Sequence, residues 1–377
     1  YRSLSETLAS EQKRENSNMK RKTVVVGMSG GVDSSVAAWL LQQQGYRVIG
    51  VTIQMWHGNE LTQEDKNGCC GLSVIEDARR IAQILQIPYY VMDCKRKFKK
   101  RVVDYFIEEY LHGKTPNPCI VCNRYVKWEA LLQKSIEIKA DYIATGHYAR
   151  IAKLSNGRYA IRNSVTPEKD QTYVLYNLTQ KQLAHTLMPV GNYRKKQIRE
   201  IAEKSGLSMA NKHDSQEICF VPDKDYAVFI EKSVGRKMPE GNFVNNEGKI
   251  LGCHKGIIHY TLGQRRGLGL SMGRRMFVRE IRPETNEVVI GEGDEVFYKM
   301  LKANHISFMA APEMDIGKTS YFVSKIRYGH RGIGCLVKRT GLDEIQCIFN
   351  ESVRAVTPGQ AVVFYKGDCV AGGGRIL

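Results

Sequence analysis

Thr23-Val24-Val25-Val26-Gly27-Met28-Ser29-Gly30-Gly31-Val32-Asp33-Ser34-Ser35 is the stretch on which the fold turns. A β-branched run leads into a glycine-rich turn, and apolar positions at Val36, Ala37, Leu40 and Leu41 follow at helical spacing. A strand, a glycine turn and a helix start make an anion site, because the backbone comes close, N–H groups point outward and the helix dipole favours negative charge. Gly30 and Gly31 can take positive φ and expose main-chain donors without a Cβ in the way. Ser29, Ser34 and Ser35 add hydroxyls, and Asp33 is placed to help hold a magnesium ion beside a phosphate. No Gly-Lys-Ser/Thr closes a Walker loop, and the dinucleotide pattern G-x-G-x-x-G is absent. Glycine and serine alone would also suit an ordinary strand–turn–helix junction. The ordered string Ser-Gly-Gly-Val-Asp-Ser is more specific.

Outward from this stretch, strand and helix patterns alternate. Val48–Ile53, Tyr89–Met92 and Asp141–Thr145 read as strands, and Ser73–Leu85, Val102–Leu111 and Val126–Ile138 as helices. Such alternation predicts an α/β domain with a parallel sheet covered on both faces and ligands at the carboxyl ends of its strands. Ser29–Ser35 and Gly146 should then share one sheet edge. Beyond about Pro222 glycine, asparagine and proline punctuate short segments. From about Val296, strands at Ser320–Ile326, Gly334–Lys338, Glu344–Phe349 and Gln360–Tyr365 suggest a small antiparallel β-barrel. The expected division is a catalytic domain over 19–222, a small central domain over 223–292 and the barrel over 293–377. Residues 1–18 are polar and patternless, and read as a disordered extension or an expression remnant ahead of Met19-Lys20-Arg21-Lys22.

The formal charge of +17 points toward a polyanionic partner. The excess is clustered. Lys95, Arg96, Lys97, Lys99, Lys100 and Arg101 crowd one stretch, and Arg265, Arg266, Arg274, Arg275, Arg279 and Arg282 another, with only Glu280 opposing them in sequence. Lys325, Arg327, Arg331, Lys338 and Arg339 form a third group. One such run is commonly a solvated face, but three beside a phosphate loop favour nucleic acid. No apolar run has the length needed to cross a bilayer, and no secretory signal pattern opens the chain. A cytoplasmic protein without membrane attachment is expected, with its ten cysteines held reduced.

Thr115-Pro116-Asn117-Pro118-Cys119-Ile120-Val121-Cys122-Asn123 is the second informative string. Two prolines stiffen the approach to Cys119, and a helical pattern begins just after Cys122. A thiol near a helix N-terminus has its thiolate favoured by the dipole. About a hundred residues further on, Cys219 lies in Asp214-Ser215-Gln216-Glu217-Ile218-Cys219-Phe220. Alone, Cys219 reads more readily as apolar filler, and one C-x-x-C leaves zinc, redox chemistry or no role open. No second C-x-x-C completes a four-cysteine zinc site, and the adjacent Cys69-Cys70 pair is a poor substitute.

The Ser-Gly-Gly-Val-Asp-Ser string resembles the pyrophosphate loop (PP-loop) of the ATP pyrophosphatases, which split ATP between its α and β phosphates and usually adenylate a carbonyl oxygen. Together, Gly27–Ser34, Thr115–Asn123, Ala144–Tyr148, Lys169-Asp170-Gln171, Asp214–Phe220, Tyr260–Leu268 and Thr357–Gln360 resemble the tRNA-specific 2-thiouridylase family, in that family's order. The resemblance runs from about residue 19 to the end of the chain. It implies an adenine-nucleotide α-hydrolase-like domain, a small central domain and a C-terminal barrel, and conversion of a tRNA wobble uridine to 2-thiouridine. ATP and magnesium are the implied cofactors. The implied partners are the wobble-uridine tRNAs for Lys, Glu and Gln and a sulfur-donor protein.

Carried over residue by residue, the resemblance assigns Gly27, Met28, Ser29, Gly30, Gly31, Val32, Asp33, Ser34, Ile53 and Gly146 to ATP. It assigns Asn117, Pro118 and Cys119 to the target base. Lys169, Asp170, Gln171, Arg327 and Tyr328 go to tRNA, and Cys122 and Cys219 to sulfur chemistry. The residue types suit the reaction. A uracil carbonyl oxygen is a poor leaving group until ATP adenylates it, and two cysteines can divide the work, one holding sulfur as a persulfide and the other resolving it. Many members have Asp at the position of Cys119, where it is thought to act as general acid or base. With Cys there, Cys119, Cys122 and Cys219 make three candidate thiolates, and an iron–sulfur cluster on all three stands beside persulfide chemistry. Other readings are a different PP-loop pyrophosphatase, such as a tRNA lysidine synthetase or an amidating synthetase, and a non-catalytic RNA-binding protein.

Overall fold

The computed structural model describes residues 21–56, 72–207, 218–221 and 225–377. The extension at 1–18, the Cys69-Cys70 pair, Asp214–Glu217 and Pro222 lie outside the described residues. Strands β1 (Thr23–Gly27), β2 (Arg47–Gln54), β3 (Tyr89–Asp93), β4 (Tyr142–Ala144) and β7 (Thr186–Leu187) form a parallel sheet in the order β3-β2-β1-β4-β7. Val24, Val25 and Val26 of β1 are wholly buried, as a central strand covered on both faces requires. Helices α1 (Val32–Gln43), α2 (Leu72–Ile84), α3 (residues 95–111) and α4 (residues 118–137) connect these strands. Strand order reverses between β1 and β4, which opens a crevice at their carboxyl ends.

Two features depart from the sequence reading. Residues 149–163 form an antiparallel hairpin, β5 (Ala149–Lys153) and β6 (Tyr159–Asn163), that leaves the parallel sheet altogether. Helix α4 begins at Pro118, eight residues before the expected start at Val126. Proline at a first helical position needs no N–H and already has the helical φ, so both cysteines lie within the helix.

Short helices α5 (Gln180–Ala184), α6 (Lys195–Lys204) and α7 (Tyr226–Val234) lead to a four-stranded sheet. It comprises β8 (Gly241–Val244), β9 (Ile250–His254), β10 (Phe277–Arg282) and β11 (Glu287–Gly291), in the order β10-β11-β8-β9. The last unit is a closed antiparallel barrel of β12 (Phe297–Phe308), β13 (Thr319–Lys325), β14 (Ile333–Gly341), β15 (Glu344–Arg354), β16 (Ala361–Lys366) and β17 (Cys369–Ile376), sealed by pairing of β12 with β17. Alternation along β13 to β15 points Phe322, Cys335, Val337, Ile345, Cys347 and Phe349 inward as its core. The hairpin β5–β6 attaches to this barrel. Cys369 of β17 pairs with Arg162 of β6, and Asp368 takes Arg150 at 3.1 Å and Arg162 at 2.7 Å.

Candidate active site and nucleic-acid interface

The phosphate loop occupies the crevice between β1 and β4. Gly30 stands at φ +64°, and a Cβ there would meet the Val74 carbonyl of α2 at 2.8 Å, so only glycine fits the turn. Ser34 Oγ accepts a hydrogen bond from the Ser29 amide at 3.1 Å and donates to the Gly31 carbonyl at 3.1 Å, and Ser35 Oγ donates to the same carbonyl at 2.8 Å. These serines therefore brace the loop, while the first-turn N–H groups of α1 have no partner within the helix. Thr52 Oγ1 donates to the Met28 carbonyl at 2.8 Å, tying the loop to β2. Gly146, after β4, presses on the helix start: a Cβ there would lie 2.6 Å from the Ser34 amide nitrogen. Ser29–Ser35 and Gly146 thus share one edge, as the alternation predicts. Ile53 lies near the end of β2, half-buried and packed between two apolar clusters.

Asp33 is the charged centre of this edge. Lys195 Nζ lies 2.9 Å from both of its carboxylate oxygens, and the Tyr148 hydroxyl donates to Oδ1 at 2.7 Å. Tyr148 is fixed in turn by Gln171, whose side-chain oxygen accepts from the Tyr148 amide at 2.8 Å. Lys195 is absent from the sequence-based assignment, although one signal was available. It opens helix α6 together with Lys196, and cations at a helix N-terminus oppose the dipole unless another charge holds them. His147 packs on the Trp128 ring at 5.4 Å, with Nδ1 2.9 Å from Thr145 Oγ1. Burial, then the Lys127 charge, push its pKa down to about 3.

The cysteines divide between two environments. Cys122 is buried, its Sγ 3.6 Å from Met55 Sδ, in an apolar cluster with Phe98, Phe106, Val126 and Phe220. Cys219, half-buried, packs on that same cluster. Cys119 is exposed, and its thiol is near enough to Tyr328 to act on it electrostatically. Burial, then the nearby Asp170 carboxylate and Cys119 thiol, push the Tyr328 phenol above its ordinary range. The Tyr328 ring meets Tyr173 edge-on at 6.2 Å. The structure therefore gathers Cys119, Asp170 and Tyr328 in one neighbourhood from three distant stretches. Among the described residues, no three His, Cys, Asp or Glu side chains are grouped to hold a metal ion. Cys122 is sunk in the apolar cluster, whereas Cys119, three residues before it on the same helix, is exposed.

Both helices next to this site, α3 and α4, contain a π-helical turn, at Lys99–Val103 and Asn123–Trp128. Such turns concentrate at functional sites. Between them and the barrel lies a cleft of about 290 Å³ lined by Lys100, Arg101, Arg124, Arg375, Tyr125 and Asn117, among others. Arg101 and Arg124 approach the Tyr125 ring at 5.9 and 5.0 Å. The Thr357–Gln360 turn of the barrel closes the far side. Thr115 N donates to the Pro358 carbonyl at 2.9 Å and Gln360 Nε2 to the Thr115 carbonyl at 2.8 Å, so two separately quoted motifs meet.

The remaining sequence-based assignments fall out unevenly. Pro118 is buried. Asp170 accepts from the Ser164 amide at 2.8 Å and the Thr172 amide at 3.1 Å, so it organises its own turn, while Lys169 is partly exposed. Arg327 is exposed and donates to the Arg354 carbonyl at 3.0 Å. Nor is Glu280 alone against the central arginines. Arg274 pairs with Glu292, Arg279 with Glu295 and Arg282 with Glu287, because β11 and the turn after it bring acids across from β10. Arg265, Arg266 and Arg275 are exposed. Arg339 is buried and donates to the Met314 and Leu342 carbonyls, a structural task.

A nucleotide loop at the switch point of a parallel sheet, with thiols set beneath a barrel and a basic cleft between, defines an enzyme of the HUP class that activates a substrate with ATP. The family model described as "tRNA methyl transferase HUP domain" matches residues 22–223, its PRC-barrel counterpart 227–292, and an "Aminomethyltransferase beta-barrel domain" 298–376. The chain belongs to the tRNA-specific 2-thiouridylase family. It is 61% identical over 357 residues to tRNA-specific 2-thiouridylase MnmA of Lachnoclostridium phytofermentans, covering 94% of this chain and 99% of that protein. It is 51% identical to the Clostridioides difficile MnmA over 94% of this chain and 98% of that one. Among solved structures, the U34-tRNA thiolase NcsA from Methanococcus maripaludis with its 4Fe–4S cluster is similar at 20% identity and a TM-score of 0.34, covering 60% of this chain and 75% of that one.

Proposed function

We propose that the protein is an ATP-dependent tRNA-uridine 2-sulfurtransferase working through a cysteine persulfide. The uracil carbonyl oxygen at carbon 2 attacks the α-phosphorus of ATP and pyrophosphate leaves. The terminal sulfur of a Cys219 persulfide adds to carbon 2, and AMP departs with the oxygen. The Cys122 thiolate then attacks the Cys219 sulfur, freeing the thiocarbonyl and leaving a Cys122–Cys219 disulfide that an external thiol must reduce. The observation that carries this reading is the packing of Cys122 and Cys219 on one apolar cluster beside the basic cleft.

The residues fit the nucleotide. A Cβ at Gly30 or Gly146 would fill the cradle, the first turn of α1 offers N–H donors, and Asp33 would supply a carboxylate to magnesium. Magnesium would neutralise the phosphates. Lys195 would hold Asp33 in place before the nucleotide arrives. The wobble base, turned out of its loop, would enter past Asn117 and Cys119, with the cleft cations on flanking phosphates. Gln171 supports this entry by positioning Tyr148, and Asp170 by organising its own turn. No helix among the described residues is long and apolar enough to cross a membrane, and a tRNA substrate sets the activity in the cytoplasm.

The test combines protein, ATP, magnesium, a wobble-uridine tRNA for Lys, Glu or Gln and a persulfide donor. AMP, pyrophosphate and 2-thiouridine should appear in equal amounts by chromatography and nucleoside mass spectrometry. Pyrophosphate release without thiolation under reducing, sulfur-replete conditions would reject the assignment.

A further inference from the structure

Beneath the basic cleft lies a carboxylate that, on charge alone, RNA binding should disfavour. Glu109 of α3 is 9% exposed, and none of the described residues lining the cleft is acidic. Its Oε1 lies 3.7 Å from Arg375 Nη1 and 3.9 Å from Lys114 Nζ. Its Oε2 is buried and accepts no hydrogen bond. A buried charge matched at one oxygen only is costly, and a neutral side chain of the same shape would fill the space more cheaply. The same charge repels any phosphate drawn to the cleft. Something must offset both penalties.

Arg375 is the residue on which Glu109 can act. β17 fixes the Arg375 backbone, in register with Ala361 of β16 and Asn304 of β12, but leaves its long side chain to be aimed. Two groups on α3 aim it. Glu109 faces Nη1, and the Tyr105 hydroxyl, one helical turn earlier, accepts a hydrogen bond from the same guanidinium. Tyr105 and Arg375 both line the cleft, whereas Lys114 shares the carboxylate without lining it. A guanidinium carries its N–H donors in a rigid fork, so one edge can rest on Glu109 while another takes phosphate oxygens. We propose that Glu109 is a positioning residue that holds Arg375 ready for a phosphodiester of the RNA. The proposal rests on the reading of the cleft as a phosphate grip. Ordering Arg375 in advance removes the entropy loss of fixing it when RNA arrives, which outweighs the repulsion of one carboxylate.

The experiment measures tRNA affinity against salt, and steady-state thiolation, for Glu109→Gln, Arg375→Gln and the double variant. The sign decides. Loss of a negative charge should tighten tRNA binding if Glu109 is merely a local charge. Loss of a positioning residue should weaken it, raising the KM for tRNA about fivefold while kcat holds. The log–log salt slope should fall toward that of Arg375→Gln, and Glu109→Gln should add no further loss once Arg375 is gone. Glu109→Asp keeps the charge but draws it back from Arg375. It should weaken binding as well, and it decides the matter if the glutamine variant does not fold. Tighter or unchanged binding overturns the proposal. So do additive losses in the double variant, which would make Glu109 a brace between α3 and the barrel, and an Arg375→Gln protein with wild-type affinity and slope. A wild-type complex indifferent to salt would instead reject the phosphate grip itself.

Discussion

Asp33 makes its contacts across the whole catalytic unit, and its partner Lys195 lies 162 residues away. Replacing Lys195 with Met keeps the methylene stem but leaves the carboxylate without its cation. We expect tRNA-dependent pyrophosphate release to fall by about a hundredfold, because Asp33 loses the cation that holds it in position. Asp33→Ala should behave similarly, and tRNA affinity by fluorescence anisotropy should change little in both. The thiols separate the two half-reactions: Cys122→Ala and Cys219→Ala should still release pyrophosphate yet make no 2-thiouridine. Cys119→Asp should be tolerated, since in the persulfide route Cys122 and Cys219 carry the sulfur chemistry, and its abolition of thiolation would count against that route. At this scale the sequence was informative wherever the chemistry sits in one continuous string, as at Ser29–Ser34 and Cys119–Cys122. It was blind to Lys195, whose meaning lies entirely in a partner brought close by folding.

Among the elements, the short turn at Gly146-His147-Tyr148 carries the clearest pH signature. His147 titrates near 3 in the folded chain against an ordinary 6.5, so the unfolded chain takes up the proton first as pH falls. Its contribution to stability is complete above about pH 6.5 and drains away toward pH 3, by up to about 1.4 kcal/mol per pH unit. The urea midpoint of the wild type should therefore drop more between pH 7.5 and 5 than that of His147→Gln, whatever their absolute stabilities. An equal drop in both would remove His147 as the cause. Element by element, the strands β1 to β4 and the helices α1 to α4 follow from hydrophobic period. β12 and β17 do not. β12 is studded with Lys299, Lys302 and His305, and β17 reads Cys-Val-Ala-Gly-Gly-Gly-Arg-Ile, which looks like a loop. Its glycines answer to closure of the barrel: a Cβ at Gly372 would stand 2.3 Å from the Ser307 carbonyl, and one at Gly373 2.5 Å from that of Val362.

For the molecule as a whole, the excess of basic residues has a direction. Lys95, Lys97 and Lys99 are paired with Asp93, Glu129 and Asp104, whereas Lys100 and Arg101 line the cleft with Arg124 and Arg375. Binding of tRNA should weaken linearly in log–log plots against salt, and Arg101→Gln or Arg124→Gln should each reduce the slope by about 1 while sparing tRNA-free ATP binding. A salt-independent complex would contradict a phosphate grip. The three-part architecture was legible from the change of texture after the parallel sheet. The junction between parts was not, since nothing local in Arg150 or Arg162 announces that a hairpin of the first part will join the sheet of the last.

That junction governs the order in which a newly made chain can come to life. Among the described residues, the hairpin β5–β6 has its outside strand partner in β17, and the Thr115 backbone has its amide and carbonyl partners at Pro358 and Gln360. Emerging from the ribosome, the parallel sheet can assemble early, because all five of its strands lie before residue 188, ahead of the barrel. The cleft that meets RNA must wait for the barrel to close. Until then a nascent chain can own its nucleotide loop and still have no finished place for a substrate, so ATP is not committed to an unfinished enzyme.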